Sequence, residues 1–177
     1  MKQFLLSFLE ILEVVIVAVV SIYLVYSFIA QPFKVDGKSM EPNFSTGDYL
    51  IVDEITYRFR EPVRGEVVVL RNPTNETEFF IKRVIGLPGE QILVSDNKVF
   101  VDGQRIDEIY IPEDISMSDT PPFELAETEF FVMGDNRQSS FDSRNWGPLE
   151  KNKIVGVVRI RFWPFGDVET YKPVENV

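Results

Sequence analysis

A mainly β fold, an antiparallel barrel- or sandwich-like domain carried on one N-terminal transmembrane helix, is what this sequence predicts. Two observations lead there. Phe4 to Ala30 is almost continuously apolar, and the remainder is a series of short β-like runs punctuated by Gly, Pro and Asn. No internal repeat, heptad or low-complexity tract points to another architecture.

The apolar segment is interrupted only near its start, by Glu10 and Glu13. From Val14 to Ala30 it carries no charge, a run of about 17 residues, at the short end for a spanning helix. The preceding Leu5–Leu12 stretch lengthens it, because the two glutamates stand three apart on one helical face and fit the headgroup region. Tyr23 and Tyr26 lie toward the other end, where amphipathic rings favour an interface. A cleaved leader fits less well: only Lys2 charges its start, and a cut after Ala30 would place Phe28 where a small residue is needed. Residues 1–31 are therefore expected to be a retained anchor and residues 32–177 a β-rich domain. Lys2 and the α-amino group on one side against Lys34 and Lys38 on the other leave the orientation undecided by charge.

Beyond Pro32, strands are expected at Tyr49–Val52, Gly65–Leu70, Phe79–Ile85, Ile92–Val94, Val99–Val101, Glu129–Met133 and Ile154–Trp163. Ser95-Asp96-Asn97-Lys98 reads as the tip of a hairpin. Asp107 to Thr128, with three prolines among several acids, reads as an insertion or long surface loop.

Composition restricts the chemistry sharply. The 177-residue chain has no histidine and no cysteine, which removes Ser-His-Asp hydrolysis, thiol catalysis, disulfides and the usual zinc sites. No metal and no cofactor are expected. A net charge of −10 with no basic stripe argues against a nucleic-acid partner. Ser39 lies between a glycine turn and a proline turn in Val35-Asp36-Gly37-Lys38-Ser39-Met40-Glu41-Pro42-Asn43. An activated serine here needs a lysine, a carboxylate or a tyrosine as its base.

Lys82 is one candidate. Strand alternation places it with Phe80 and Val84 on one face, the setting that lowers a lysine pKa by desolvation; the alternative is a lysine that snorkels out of a half-buried strand. A third polar stretch, Gly134 to Gly147, follows an apolar strand directly. Its carboxylates do not match the EF-hand spacing, and a plain Asx-rich turn is the competing reading. Asp142 and Arg144 stand two apart and can pair, while Ser139 and Ser140 offer hydroxyls to a neutral lysine amine.

In order, an apolar anchor, Gly-x-Ser-Met-x-Pro, Arg-Gly-Glu-Val-Val-Val, Lys-Arg-Val-Ile-Gly-Leu-Pro-Gly and Gly-Asp-Asn-Arg-x-x-Ser-x-Asp-Ser-Arg closely resemble the motif boxes of the type I signal peptidases. The compact length resembles their single-span, Gram-positive-type members. The resemblance implies Ser39 as nucleophile and Lys82 as general base, Ser140 holding the lysine, and Asp142 with Arg144 as a structural pair beside the site. It implies a signal peptide bound extended near Phe33 and Val35, small residues before the cut (Ala-x-Ala), a membrane lipid partner, and a domain outside the cytoplasm with the N-terminus inside. The Ser39 N–H would serve the oxyanion. Two departures stand out: Gly37 occupies the place where some members carry a second oxyanion-binding hydroxyl, and Asn43 replaces the usual threonine after the proline. The rival readings are a repressor-cleaving Ser-Lys autoprotease, which would carry a soluble DNA-binding domain in place of the span, and a non-catalytic, membrane-anchored peptide-binding β-domain.

Overall fold

A computed structural model describes residues 2–28, 30–112 and 115–173. Helix α1 (Lys2–Phe28) takes up the apolar segment, and its Leu6–Tyr23 stretch is, among the described residues, the one helix long and apolar enough to cross a membrane. The chain then runs through β1 (Ala30–Lys34), β2 (Tyr49–Asp53), β3 (Val67–Asn72), β4 (Asn75–Gly86), β5 (Gln91–Ser95), β6 (Lys98–Val101), β7 (Gln104–Arg105), β8 (Phe123–Glu124) and β9 (Glu129–Met133). A single helical turn, α2 (Ser143–Trp146), precedes β10 (Leu149–Glu150), β11 (Ile154–Trp163) and β12 (Glu169–Thr170).

The strands form two antiparallel sheets, as the punctuation predicts. The larger has the order β1-β2-β11-β3-β4-β9-β10 with β12 added on β11; the smaller has the order β7-β6-β5-β8. β3 sits inside the larger sheet and explains its unbroken Val-Val-Val-Leu run: Val67 and Val69 face one apolar cluster with Val35, Met40 and Leu50, while Val68 and Leu70 face another with Val84 and Phe130. A third cluster, including Ile85, Ile92, Phe131 and Met133, joins the two sheets. The expected hairpin is present: Ser95 pairs with Lys98, and Asp96 and Asn97 take the positive φ values (50° and 60°) that a tight two-residue turn demands.

The segment from Asp107 to Thr128 departs from expectation. It is not a detached surface loop. Met117 and Leu125 are buried in the third cluster, Phe123–Glu124 adds a strand to the smaller sheet, and Glu108 is tied to Arg137. Its prolines and acids conceal this, because the apolar residues that dock are isolated in sequence and have no period to reveal them.

Candidate active site

Ser39 is held in a turn between β1 and β2. Gly37 opens that turn with φ +108°, a conformation available to glycine, and its N–H donates to Thr46 Oγ1 at 3.0 Å. Met40 and Phe44 anchor the turn in the core, and the Ser39 carbonyl accepts from Asn136 N–H at 3.0 Å. The Ser39 N–H itself has no partner among the described residues.

Lys82 comes from the middle of β4, paired with Val68 of β3, and is 2% exposed. Its Nζ lies 2.8 Å from Ser39 Oγ, donates to the Ile81 carbonyl at 3.0 Å, and stands 5.1 Å from the Phe80 ring centre. The snorkelling alternative is therefore not what the fold adopts. Burial pushes the Lys82 pKa from 10.5 down to about 8; Asp142 and Asp135 oppose this, and Arg144 reinforces it. Desolvation wins because each carboxylate is already neutralised by its own arginine.

Those two ion pairs bracket the lysine. Arg83 Nε and Nη2 donate to Asp135 at 2.8 and 2.6 Å with both groups buried, and Arg83 Nη1 donates to the Gly65 carbonyl at 2.9 Å. Arg144 makes a second two-pronged pair with Asp142, both contacts 2.8 Å, and Asp142 also accepts from Gly134 N–H at 3.0 Å while capping α2. Burial alone would raise the Asp142 pKa, but the hydrogen bonds and charge of Arg144 hold it below the ordinary carboxylate range.

Ser140 stands apart from this pattern. Its Oγ is buried and, among the described residues, makes no hydrogen bond to Lys82; it is near enough to Asp142 to help hold that carboxylate's pKa down. It does lie near the Ser39 carbonyl: a Cβ added at Gly134 would meet Ser140 Oγ at 2.3 Å and the Ser39 carbonyl oxygen at 2.4 Å. Gly134→Ala is therefore expected to push the Ser39 turn outward. A displacement of about 1 Å costs on the order of 100-fold in turnover, to be read as a fall in kcat with the melting temperature measured alongside.

Val35 and Phe33 are placed differently from each other. Val35 is buried in the core, its N–H donating to Asp48 O at 2.8 Å and its carbonyl accepting from Gly47 N–H at 3.0 Å. Phe33 is half-buried against Phe79, ring centres 5.5 Å apart. β1 ends the larger sheet, and since Val35 points its backbone groups toward β2, strand alternation turns those of Lys34 and Asp36 to the outer edge.

Two contributors escape a reading of the sequence. Arg83 points to the opposite face from Lys82, yet both are buried, because the Ser39 turn covers one face of β4 while Asp135 and the Tyr110 ring cover the other. Asn43, one of the departures noted above, donates through Nδ2 to Asp135 Oδ2 and to the Tyr110 carbonyl, both at 2.7 Å. It clamps the Ser39 turn to the ion pair beside Lys82. The signal was present in its short amide side chain, but the partner is 92 residues away.

A serine hydroxyl against a buried, deprotonatable lysine, on a β scaffold without histidine, has the form of a serine hydrolase that dispenses with imidazole. Comparison with known proteins makes this specific. Residues 8–163 match the family described as signal peptidase, peptidase S26. A probable signal peptidase I-2 of Synechocystis is 40% identical over 146 residues, 79% of this chain and 66% of that protein. Signal peptidase I P of Bacillus subtilis subsp. natto is 35% identical over 161 residues, 85% of this chain and 86% of the other. A crystal structure of a signal peptidase I from Enterococcus faecalis superposes with a TM-score of 0.48 at 29% identity, covering 55% of this chain and 97% of that one. The chain belongs to the S26 signal peptidase family and is a serine endopeptidase.

Proposed function

We propose that this chain removes signal peptides from preproteins at a membrane, with Ser39 as nucleophile and Lys82 as general base. The observation that carries the reading is the 2.8 Å contact between Ser39 Oγ and a buried Lys82 Nζ whose pKa is lowered to about 8. Residues 1–31 serve as the anchor and residues 32–177 as the catalytic domain, which lies outside the cytoplasm while the N-terminus lies inside. Helix α1 supports the anchor by length and composition.

With Lys82 neutral, the Ser39 hydroxyl donates to Nζ, and the oxygen attacks the scissile carbonyl as its proton passes to the amine. The Ile81 carbonyl, already bonded to Nζ, keeps the amine aimed at Ser39. The unpartnered Ser39 N–H donates to the oxyanion, a contact of the kind worth roughly 3 kcal/mol. The Lys82 ammonium then protonates the leaving amine as the C–N bond breaks, leaving an ester on Ser39. Water, deprotonated by the regenerated amine, attacks that ester and releases the carboxylate. Gly37 brings no hydroxyl to the oxyanion, and its N–H is committed to Thr46. Ser140 and the Asp142–Arg144 pair shape the wall beside the lysine.

The substrate adds as a strand to the free edge of β1, hydrogen-bonding Lys34 and Asp36 while Phe33 and Val35 form the floor beneath. Small residues are accepted before the cut, in the Ala-x-Ala pattern. Incubating the protein in lipid vesicles with a preprotein bearing such a site should release the mature chain at the expected bond, read by mass spectrometry. Replacing the alanine before the cut by a bulky residue should prevent it, and cleavage indifferent to that change would overturn the specificity.

The pH dependence follows from the base. Only neutral Lys82 accepts the proton, so kcat/KM should fall about tenfold per unit as pH drops below about 8 and level off above it. A profile flat from pH 6 to 9, on the order of three units, would be incompatible with a lysine base titrating in that range.

A further inference from the structure

We infer, on the strength of the Ser39–Lys82 reading above, that residues 107–111 form a strap that sets the height of the catalytic serine, with Glu108 as its positioning residue. Lys82 stands on β4, inside the larger sheet. Ser39 stands in the long connection between β1 and β2, which end and begin at Lys34 and Tyr49. A nucleophile carried on a loop is only as well placed as its tethers, and the 2.8 Å contact with Lys82 leaves little room for error.

Glu108 reaches that connection by two routes. In the first, its Oε1 accepts from Tyr110 Oη at 2.7 Å, and the Tyr110 carbonyl accepts from Asn43 Nδ2 at 2.7 Å, four residues beyond Ser39. The same tyrosine places its ring 4.0 Å from the Arg83 guanidinium carbon and so covers the Arg83–Asp135 pair, to which Asn43 also donates. In the second, the Glu108 carboxylate takes both terminal nitrogens of Arg137, Nη1 at 2.7 Å. Arg137 Nε then donates to the Gly134 carbonyl and its backbone N–H to the Asp135 carbonyl, both at 3.0 Å. That fixes the turn whose Asn136 N–H donates to the Ser39 carbonyl at 3.0 Å. One carboxylate thus holds the nucleophile twice, at its own carbonyl and at Asn43.

The strap has the stiffness this requires. The Glu108 side chain is 7% exposed and that of Arg137 fully buried, and a two-pronged carboxylate–guanidinium pair fixes angle as well as distance. Burial first, and then the Glu108 charge, raises the Tyr110 pKa well above its ordinary value, so the hydroxyl stays a donor. The charges that act on the Lys82 amine are those of Asp142, Asp135 and Arg144, which leaves Glu108 to act through distance. Among the described residues, neither route makes a hydrogen bond to β1, so the edge that receives the substrate is independent of the strap. Ile109, on the same segment, points outward at 79% exposure and belongs to neither route.

Four variants of the full chain in lipid vesicles test this, with kcat, KM and a pH profile on a preprotein measured well below each variant's melting temperature. Glu108→Ala should lower kcat about 100-fold, the cost of a displacement of about 1 Å, and leave KM within about twofold. Its kcat/KM should still bend at about pH 8, with only the plateau lowered. Tyr110→Phe cuts the first route alone and should lose about fivefold in kcat. Ile109→Ser should match the parent. The double variant Glu108→Leu with Arg137→Met leaves no unpaired charge, so it should recover the stability lost in Glu108→Ala; without the tie to the Gly134 carbonyl it should not recover turnover. Should Glu108→Ala not fold, the double variant and Tyr110→Phe make the same test. A double variant regaining both stability and turnover would overturn the inference, since Glu108 would then merely neutralise Arg137. So would a raised KM at parental kcat, a bend moved away from pH 8, or an equal loss in Ile109→Ser. Ser39→Ala separates the two levels: cleavage retained there removes the Ser39–Lys82 reading itself. An inactive Ser39→Ala beside a Glu108→Ala of parental kcat overturns the strap alone.

Discussion

Ser39→Ala should lose preprotein cleavage by a factor on the order of 10⁴ or more, and Lys82→Met should lose it equally, because nucleophile and base act as one unit. The two variants should differ in stability. Lys82 has its pKa lowered in the fold from 10.5 to about 8, so between those values the unfolded chain holds a proton that the folded chain has released. By linkage, this lysine opposes folding by the full amount below pH 8, and the penalty is relieved as pH rises from 8 toward 10.5. The shift corresponds to a penalty on the order of 3 kcal/mol, reduced in practice by relaxation around the amine. Lys82→Met, which keeps the stem and removes the charge, should therefore be more stable than the parent at pH 7, by about 1–3 kcal/mol. Ser39→Ala should stay near the parent. Denaturant unfolding beside a cleavage assay checks both halves. Cleavage retained by either variant would refute the dyad, and a destabilised Lys82→Met would refute the desolvation account.

Asp135→Ala should be the most destabilising change near the site. It strips the carboxylate from Arg83, 4% exposed, and leaves a buried guanidinium with the Gly65 carbonyl and the face of the Tyr110 ring, 4.0 Å away, but no counter-charge. It also removes one of the two acceptors of the Asn43 amide. Breaking a buried pair on one side costs about 3–5 kcal/mol, a large share of the 5–15 kcal/mol typical of a whole domain. Removing both charges together, as Arg83→Met with Asp135→Leu, should recover much of that loss, because neither charge is then left unpaired. A chemical denaturation series on the single and double variants measures the difference; a double variant no better than Asp135→Ala would mean the pair itself was strongly stabilising.

The part of this protein that was legible in the sequence is the part written locally. The unbroken apolar run of α1, the Val-Val-Val-Leu of β3 and the Asp96-Asn97 turn each carry their own cause, since length, two-sided burial and positive φ leave marks within a few residues. The composition alone excluded imidazole and thiol chemistry, and the ordered boxes around Ser39, Lys82 and Asp142 carried the family resemblance that the comparisons bear out. β1, β7, β8, β10 and β12 were not legible: all but β1 are two residues long, and all are formed by pairing rather than by their own pattern.

Tertiary structure alone decided what surrounds the lysine. Whether Lys82 snorkels or is buried depends on the Ser39 turn folding over that face of β4, a contact across 43 residues. Arg83 became an interior residue because Asp135 and the Tyr110 ring cover the opposite face. Its partner Asp135 is 52 positions away, and the Asn43 clamp spans 92, distances over which a sequence carries no periodic signal. The sequence by itself determined which side chains are available for chemistry; the tertiary fold decided that one lysine would be buried and brought within 2.8 Å of Ser39, as the proposed base requires.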